Sequence, residues 1–253
     1  MGRMLPDDLV METCLLAGEI MLRSGGETYR VETTMAMIAQ SAGMESVHSF
    51  VTPTSIIFSY RSGERSLTRM IRIPERTIDL NKVTMVNQVS RSVVSGGMAI
   101  QEAYRRLQEI DQEKRQYPNW LQNLAAGVAS GSFAVLQGGS GYDLLPTAIA
   151  GLCVNISSGY FQQILRIKFF AEFMSAFLGG LIVYCFCLLF PVLHLNLMII
   201  GAMIPLFPGL AVTNSLRDLM AGDLIAGISR GVEALLTALA VAVATALILS
   251  FGR

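Results

Sequence analysis

The chain has 253 residues, 52% of them apolar, with no formal net charge and a mean hydropathy of +0.50. That apolar share is too high for an ordinary soluble domain of this length, and without a basic excess neither a nucleic-acid surface nor a polybasic membrane patch is expected. The average conceals two halves: residues 1–118 carry 14 of the 19 Lys and Arg and 14 of the 19 Asp and Glu, leaving five of each sign to residues 119–253.

This break near Pro118 predicts an N-terminal cytosolic α+β domain over residues 1–118 and a polytopic α-helical membrane domain over residues 119–253. Residues 9–22 have helical composition, and Ser24-Gly25-Gly26 ends that helix because glycine accepts positive φ at no steric cost. Val31, Met35, Ile38 and Ala42 mark one buried face of a second helix, closed by Gly43. Residues 47–51, 56–60 and 67–73 are β-rich runs separated by Pro53 and by Ser62-Gly63, which predicts a small antiparallel sheet. Helical periodicity returns over 78–94 and 98–113, with Ile100, Tyr104, Leu107 and Ile110 on one stripe. Residues 1–8 lack the apolar segment of a cleavable secretory signal, so this half is expected to stay in the cytosol.

Crossing about 30 Å of hydrocarbon takes roughly 20 predominantly apolar residues. Five segments are expected to do so, at about 120–137, 142–160, 169–190, 193–212 and 224–251. Lys and Arg near span ends stay on the cytoplasmic side. Lys114 and Arg115 precede the first span, Arg166 and Lys168 lie in the second turn, and Arg217 and Arg230 flank the fourth. The turn at residues 138–141 and the one around His194 have none, so the N-terminus is expected inside and Arg253 outside. Gly127-x-x-x-Gly131 and Ser175-x-x-x-Gly179 supply the small residues of close helix packing. Cys14, Cys153, Cys185 and Cys187 lack metal-ligand spacing and are expected to be buried, inert thiols, with no metal or cofactor.

No Gly-x-x-x-x-Gly-Lys-Ser/Thr element is present, which excludes a P-loop ATPase engine in this chain. His48 and His194 lie in different halves and read as structural histidines. Glu27, Glu32 and His48 are the one acid–base group that a membrane-anchored hydrolase could use.

The informative stretch is Pro205-Leu206-Phe207-Pro208-Gly209 inside an apolar run, followed by Asn214, Arg217, Asp218 and then Gly222-Asp223. Two prolines break the backbone hydrogen-bond ladder, and freed carbonyls within a membrane are tolerated where they are buried in protein or line a cavity. Broken helix ends can hold a carboxylate or a coupling ion, with Arg217 or Arg230 as counter-charge and Asp218, Asp223 or Glu233 for a proton or sodium ion. The competing structural readings are Asp223 as a helix cap, Arg230 with Glu233 as an i, i+3 pair, and Glu172 as an interfacial i, i+4 partner of Lys168. Asn155 is either a lumen contact or an interhelical hydrogen bond.

These residues carry a resemblance. Gly25-Gly26-Glu27-Thr28-Tyr29-Arg30-Val31-Glu32, Pro208-Gly209 through Asn214, Arg217-Asp218-Leu219, Gly222-Asp223 and Arg230 to Glu233-Ala234 are similar to the threonine/serine exporter (ThrE) family, in its short YjjP-like form. The resemblance implies secondary export of a small carboxylate or amino acid, succinate or threonine/serine, across the cell inner membrane. It also implies a second, YjjB-like membrane subunit, because the chain ends after the fifth span. The transport pathway is expected at Pro205, Pro208, Gly209, Asn214, Arg217, Asp218, Asp223, Arg230 and Glu233. Glu27, Tyr29, Arg30 and Glu32 are expected either to support the second helix locally or to form a cytosolic gate or docking surface meeting Arg217 and Asp218. An odd span number with such a partner suggests inverted repeats. The rivals are the anchored hydrolase and a ligand-sensing regulatory membrane protein.

Overall fold

The computed structural model describes residues 6–113, 117–165 and 167–251; the orientation signals at Lys114, Arg115, Arg166 and Arg253 lie outside them. Two compact units emerge. One joins Met1–Lys114 to Leu210–Gly231, and the other joins Arg115–Gly209 to Val232–Arg253. Residues 210–231, expected with the membrane half, therefore pack with the N-terminal residues, because their polar side chains bond there.

In the first unit, helices α1 (Pro6–Arg23) and α2 (Thr28–Ser41) precede a meander of β1 (Glu45–Thr52), β2 (Ser55–Ser62) and β3 (Arg65–Arg72). The strands pair antiparallel in the order β1-β2-β3, close to the runs read from the sequence. Strand β2 shows why: Ile56, Phe58 and Tyr60 are buried on one face at the period of two that a half-buried strand requires. They join Met11, Cys14 and Ile20 of α1 and Val31, Met35 and Ile38 of α2 in one apolar core. Gly18 lets α1 approach that closely, since a Cβ there would lie 2.5 Å from Met35 Sδ. Helices α3 (Leu80–Val94) and α4 (Ile100–Gln112) complete the layer, α4 burying Ala103, Leu107 and Ile110. Helix α9 (Gly209–Ala221) and the first two turns of α10 (Leu224–Phe251) also belong here, Gly209 excepted.

In the second unit, α5 (Asn119–Leu136), α6 (Gly141–Leu165), α7 (Lys168–Leu189), α8 (Leu195–Ala202) and a 3-10 turn (Ile204–Leu206) accompany the rest of α10. Among the described residues, α6, α7 and α10 are long and apolar enough to cross a membrane, and the broken pair Leu195–Leu206 with Gly209–Ala221 raises the number to four if it counts as one span. Helix α5, expected as the first span, falls short of that apolarity because Asn119, Gln122, Asn123, Ser130 and Ser132 lower its mean hydropathy. The helix interruption expected at Pro205 and Pro208 is present, with Pro205 in the 3-10 turn and Pro208 between the helical segments.

Small residues set the helix packing in this unit. A Cβ on Gly131 would lie 2.5 Å from Leu144 O, one on Gly127 2.8 Å from Ala148 O, and one on Gly179 2.2 Å from Val154 Cγ2. Both small-residue pairs thus serve contacts within the chain, α5 against α6 and α6 against α7. Cys14 is buried as expected, but Cys153 and Cys187 are half-buried and Cys185 is exposed on the outer face of α7.

Candidate functional site

The turn between α1 and α2 is built for close approach. Gly25 has φ +90, and Gly26 has no room for a side chain, since a Cβ would lie 2.8 Å from Met21 O. Glu27 then takes an extended conformation at the N-cap of α2 without capping it through its side chain. The free amide at the start of α2 is met from elsewhere in the chain: Thr28 N–H donates to Asp218 Oδ1 at 3.0 Å and Thr28 Oγ1 donates to Oδ2 at 3.1 Å. Asp218 thus does from α9 what an N-cap residue ordinarily does from the adjacent position.

Helices α9 and α10 present the complementary groups. Asn214, Ser215 and Asp218 share the buried face of α9, and Gly222, at φ +93, reverses the chain so that α10 runs back past them. Ser215 Oγ donates to Gly227 O at 2.7 Å, and a Cβ on Gly231 would lie 2.9 Å from Ser215 Oγ, so the two helices are tightly held. Arg230 then sits with Nε 3.2 Å from Asp218 Oδ2 and donates through a terminal nitrogen to Gly26 O at 2.9 Å. Asn214 Nδ2 donates to Gly25 O at 3.0 Å. Arg217 pairs with Glu27, whose other oxygen lies 3.4 Å from Arg30.

Burial separates these pairs. Asp218 is fully buried and the Arg230 side chain 8% exposed, whereas Arg217 is 61% exposed against a nearly buried Glu27. Burying a charge is costly unless it is paired and hydrogen-bonded, and Asp218 has both forms of compensation. Nearby, Glu32 accepts from Val51 N–H at 2.9 Å. Burial pushes its carboxyl up to about 7, the Val51 amide opposes the rise, and Asp223 and Asp218 add to it. Asp223 is raised by burial and by Asp218, and its backbone carbonyl receives Gly227 N–H as α10 begins.

The structure brings together Glu27, Arg30, Asn214, Arg217, Asp218, Asp223 and Arg230, with Glu32 beside them. Tyr29 is exposed on α2. Pro205, Pro208, Gly209 and Glu233 belong to the second unit, where Glu233 Oε1 accepts from Lys168 Nζ at 2.8 Å. Arg230 is buried against Asp218 and Gly26 rather than lying on the surface. Glu27 is committed to Arg217 and Arg30, Glu32 to Val51, and His48 is exposed on β1, so these three form no acid–base group.

Thr28 lies inside the quoted motif, yet its part became visible only with Asp218 in place. Asp143 was also missed. It is fully buried at the start of α6 and accepts from Ser140 N–H and Oγ–H at 2.6 and 2.9 Å and from His194 N–H at 2.9 Å, with His194 Nδ1 2.8 Å away. The structural role expected for His194 has its partner here. Asn155 Nδ2 donates to Asn123 Oδ1 at 2.8 Å, an α6–α5 hydrogen bond beside a polar cavity of about 450 Å³. Glu172 is the i, i+4 partner of Lys168 that the sequence suggests, at 4.0 Å, but its side chain is buried and the lysine's shorter bond goes to Glu233.

Residues 12–252 match the family model described as "Putative threonine/serine exporter". The chain is 25% identical over 236 residues to a "Probable threonine/serine exporter" of Mycobacterium tuberculosis, a match covering 90% of this chain and 44% of that protein. It is 24% identical over 234 residues to a "Threonine/serine exporter" of Corynebacterium glutamicum, covering 90% and 48%. The chain therefore spans less than half the length of these curated relatives. No solved structure matches it.

Proposed function

The chain belongs to the threonine/serine exporter family, and on that premise we propose that it is a subunit of a secondary-active exporter of a small carboxylate or amino acid, working with a second membrane subunit. The observation that carries the reading is the Asp218 carboxylate held by the α2 N-terminus, the Thr28 hydroxyl and Arg230. A helix N-terminus with a hydroxyl and a guanidinium is the donor set that a small carboxylate substrate needs. Here the protein's own carboxylate occupies it. The network is therefore a closed gate, opened when Asp218 and Arg217 part from the Gly25–Thr28 turn so that a substrate acid can compete for Arg230.

The membrane arrangement proposed with it has five spans, counting α5 and taking the broken pair as one. Loop charges support an inner-membrane protein with a cytosolic N-terminus and an outer C-terminus. More than half of each named relative lies outside its match, and a YjjB-like subunit is proposed to supply a second membrane block, related to the first as an inverted repeat. Threonine and serine are the substrates in the relatives' names, and the split form of the family points equally to succinate. A proton or sodium gradient energises export.

The test is counterflow of labelled threonine, serine or succinate in vesicles containing this chain with and without the second subunit. Flux of one of these solutes with both subunits present is expected; folded protein without flux in either vesicle would refute the carrier reading.

A further inference from the structure

Asn155, which the sequence leaves between a lumen contact and an interhelical bond, has both surroundings in the second unit. Its Nδ2 donates to Asn123 Oδ1 at 2.8 Å, and the pair borders a cavity of about 450 Å³ lined by α5 and α6. The polar part of the lining is Asn119, Gln122, Asn123, Asn155, Ser158 and Gln163. Ile156, Gly159 and Tyr160 complete it, and no Lys, Arg, Asp or Glu is among them. An amide carries both N–H donors and carbonyl lone pairs, so one Asn–Asn bond leaves each partner able to hold a third group.

Packing does not account for the opening. Further along the same pair, a Cβ on Gly127 would lie 2.8 Å from Ala148 O and one on Gly131 2.5 Å from Leu144 O, so those glycines bring the helices together. Gly159 of α6 differs: a Cβ there would meet nothing within 4 Å. Glycine inside a helix is destabilising relative to alanine, and here no neighbour requires it. Its effect is to widen the cavity it lines.

A polar recess is unsuited to lipid tails, which satisfy no donor or acceptor, and suited to a solute that does. The lining decides the kind. A dicarboxylate would enter without a cation to offset its net charge, whereas the opposite charges of a zwitterion offset each other and a hydroxyl finds amide partners. In the proposed orientation, the start of α5 and the end of α6 lie on the cytosolic side, where solute for export is collected. We infer that the cavity is a solute-binding site at the cytosolic end of the α5–α6 pair, in which the Asn123 and Asn155 amides hold a small hydroxylated zwitterion. That the bound solute is the exported one rests on the exporter reading; the binding does not.

Binding is measured with labelled threonine by scintillation proximity on the full chain in nanodiscs, prepared with and without the second subunit. Saturable binding that unlabelled serine displaces and succinate does not is expected in at least one preparation. Gly159→Leu fills the open space and is expected to abolish binding while thermal unfolding stays near the parent's. Asn155→Leu is expected to weaken binding about tenfold, the size of one lost hydrogen bond. No saturable binding in either preparation, displacement by succinate as strong as by serine, or parent-like binding in either folded variant overturns the inference. Counterflow separates this from the exporter reading. Binding as described with no flux in any vesicle leaves the site standing and removes the exporter, whereas parent flux that Gly159→Leu leaves intact removes the site's part in export.

Discussion

Asp218 of α9 accepts the backbone amide of Thr28, 190 residues earlier in the chain, at 3.0 Å and with no solvent exposure. The bond turns an electrostatic necessity of α2, an unsatisfied N-terminal amide, into an attachment for the polar stretch after the broken helix.

Removing the Asp218 carboxylate takes from the buried Arg230 the negative charge it faces at 3.2 Å. Breaking a buried pair from one side costs about 3–5 kcal/mol, while an apolar replacement of both partners is often far milder. Asp218→Ala is expected to lower thermal stability in detergent markedly, and Asp218→Ala with Arg230→Met to recover part of the loss. Additive losses in the double variant would contradict the pairing.

Glu32 gives the first unit a pH signature. Its carboxyl is raised from 4.5 to about 7, so the folded state binds the proton more tightly than the unfolded chain does. The resulting stabilisation is fully present below pH 4.5 and is lost as the pH rises to about 7. Glu32→Gln stays neutral and keeps an acceptor for Val51 N–H. It is expected to flatten that decline and to exceed the parent in stability above pH 7, as thermal unfolding across pH will read; parallel curves would contradict the assignment.

The α5–α6 contact depends on the missing side chain of Gly131. A Cβ would lie 2.5 Å from the Leu144 carbonyl, a backbone atom that cannot rotate away. Gly131→Val is expected to cost at least about 1–3 kcal/mol, the usual penalty of overpacking, and more if the helices separate. Gly159→Ala, where a Cβ meets nothing within 4 Å, is the neutral control in the same unfolding measurement.

Much of the architecture was legible because local periodicity carried it. The alternation of β2 and the buried stripe of α2 follow directly from residue spacing. The meeting of Glu27 with Arg217 was also open to sequence reasoning, since each lies in a charged cluster beside a glycine break. Longer-range pairings were not. Lys168 four residues before Glu172 reads as an interfacial pair, and that pair is present at 4.0 Å, but the lysine's shorter bond to Glu233, 65 positions away, is not signalled. Asp143 and His194 are separated by 51 positions and belong to no motif that links them. Helix α5 shows the limit of counting apolar residues, because its small and polar face serves packing against α6 as well as any span.

If the Gly25–Thr28 turn and residues 214–230 form one transport gate, the Glu27–Arg217 pair must hold it shut. Counterflow should be measured for the parent, Glu27→Arg, Arg217→Glu and the double reversal, each with the second subunit present. Either single reversal is expected to lower flux, and the double reversal to restore a substantial part of it. A double reversal no more active than the single ones, in folded protein, would contradict the gate.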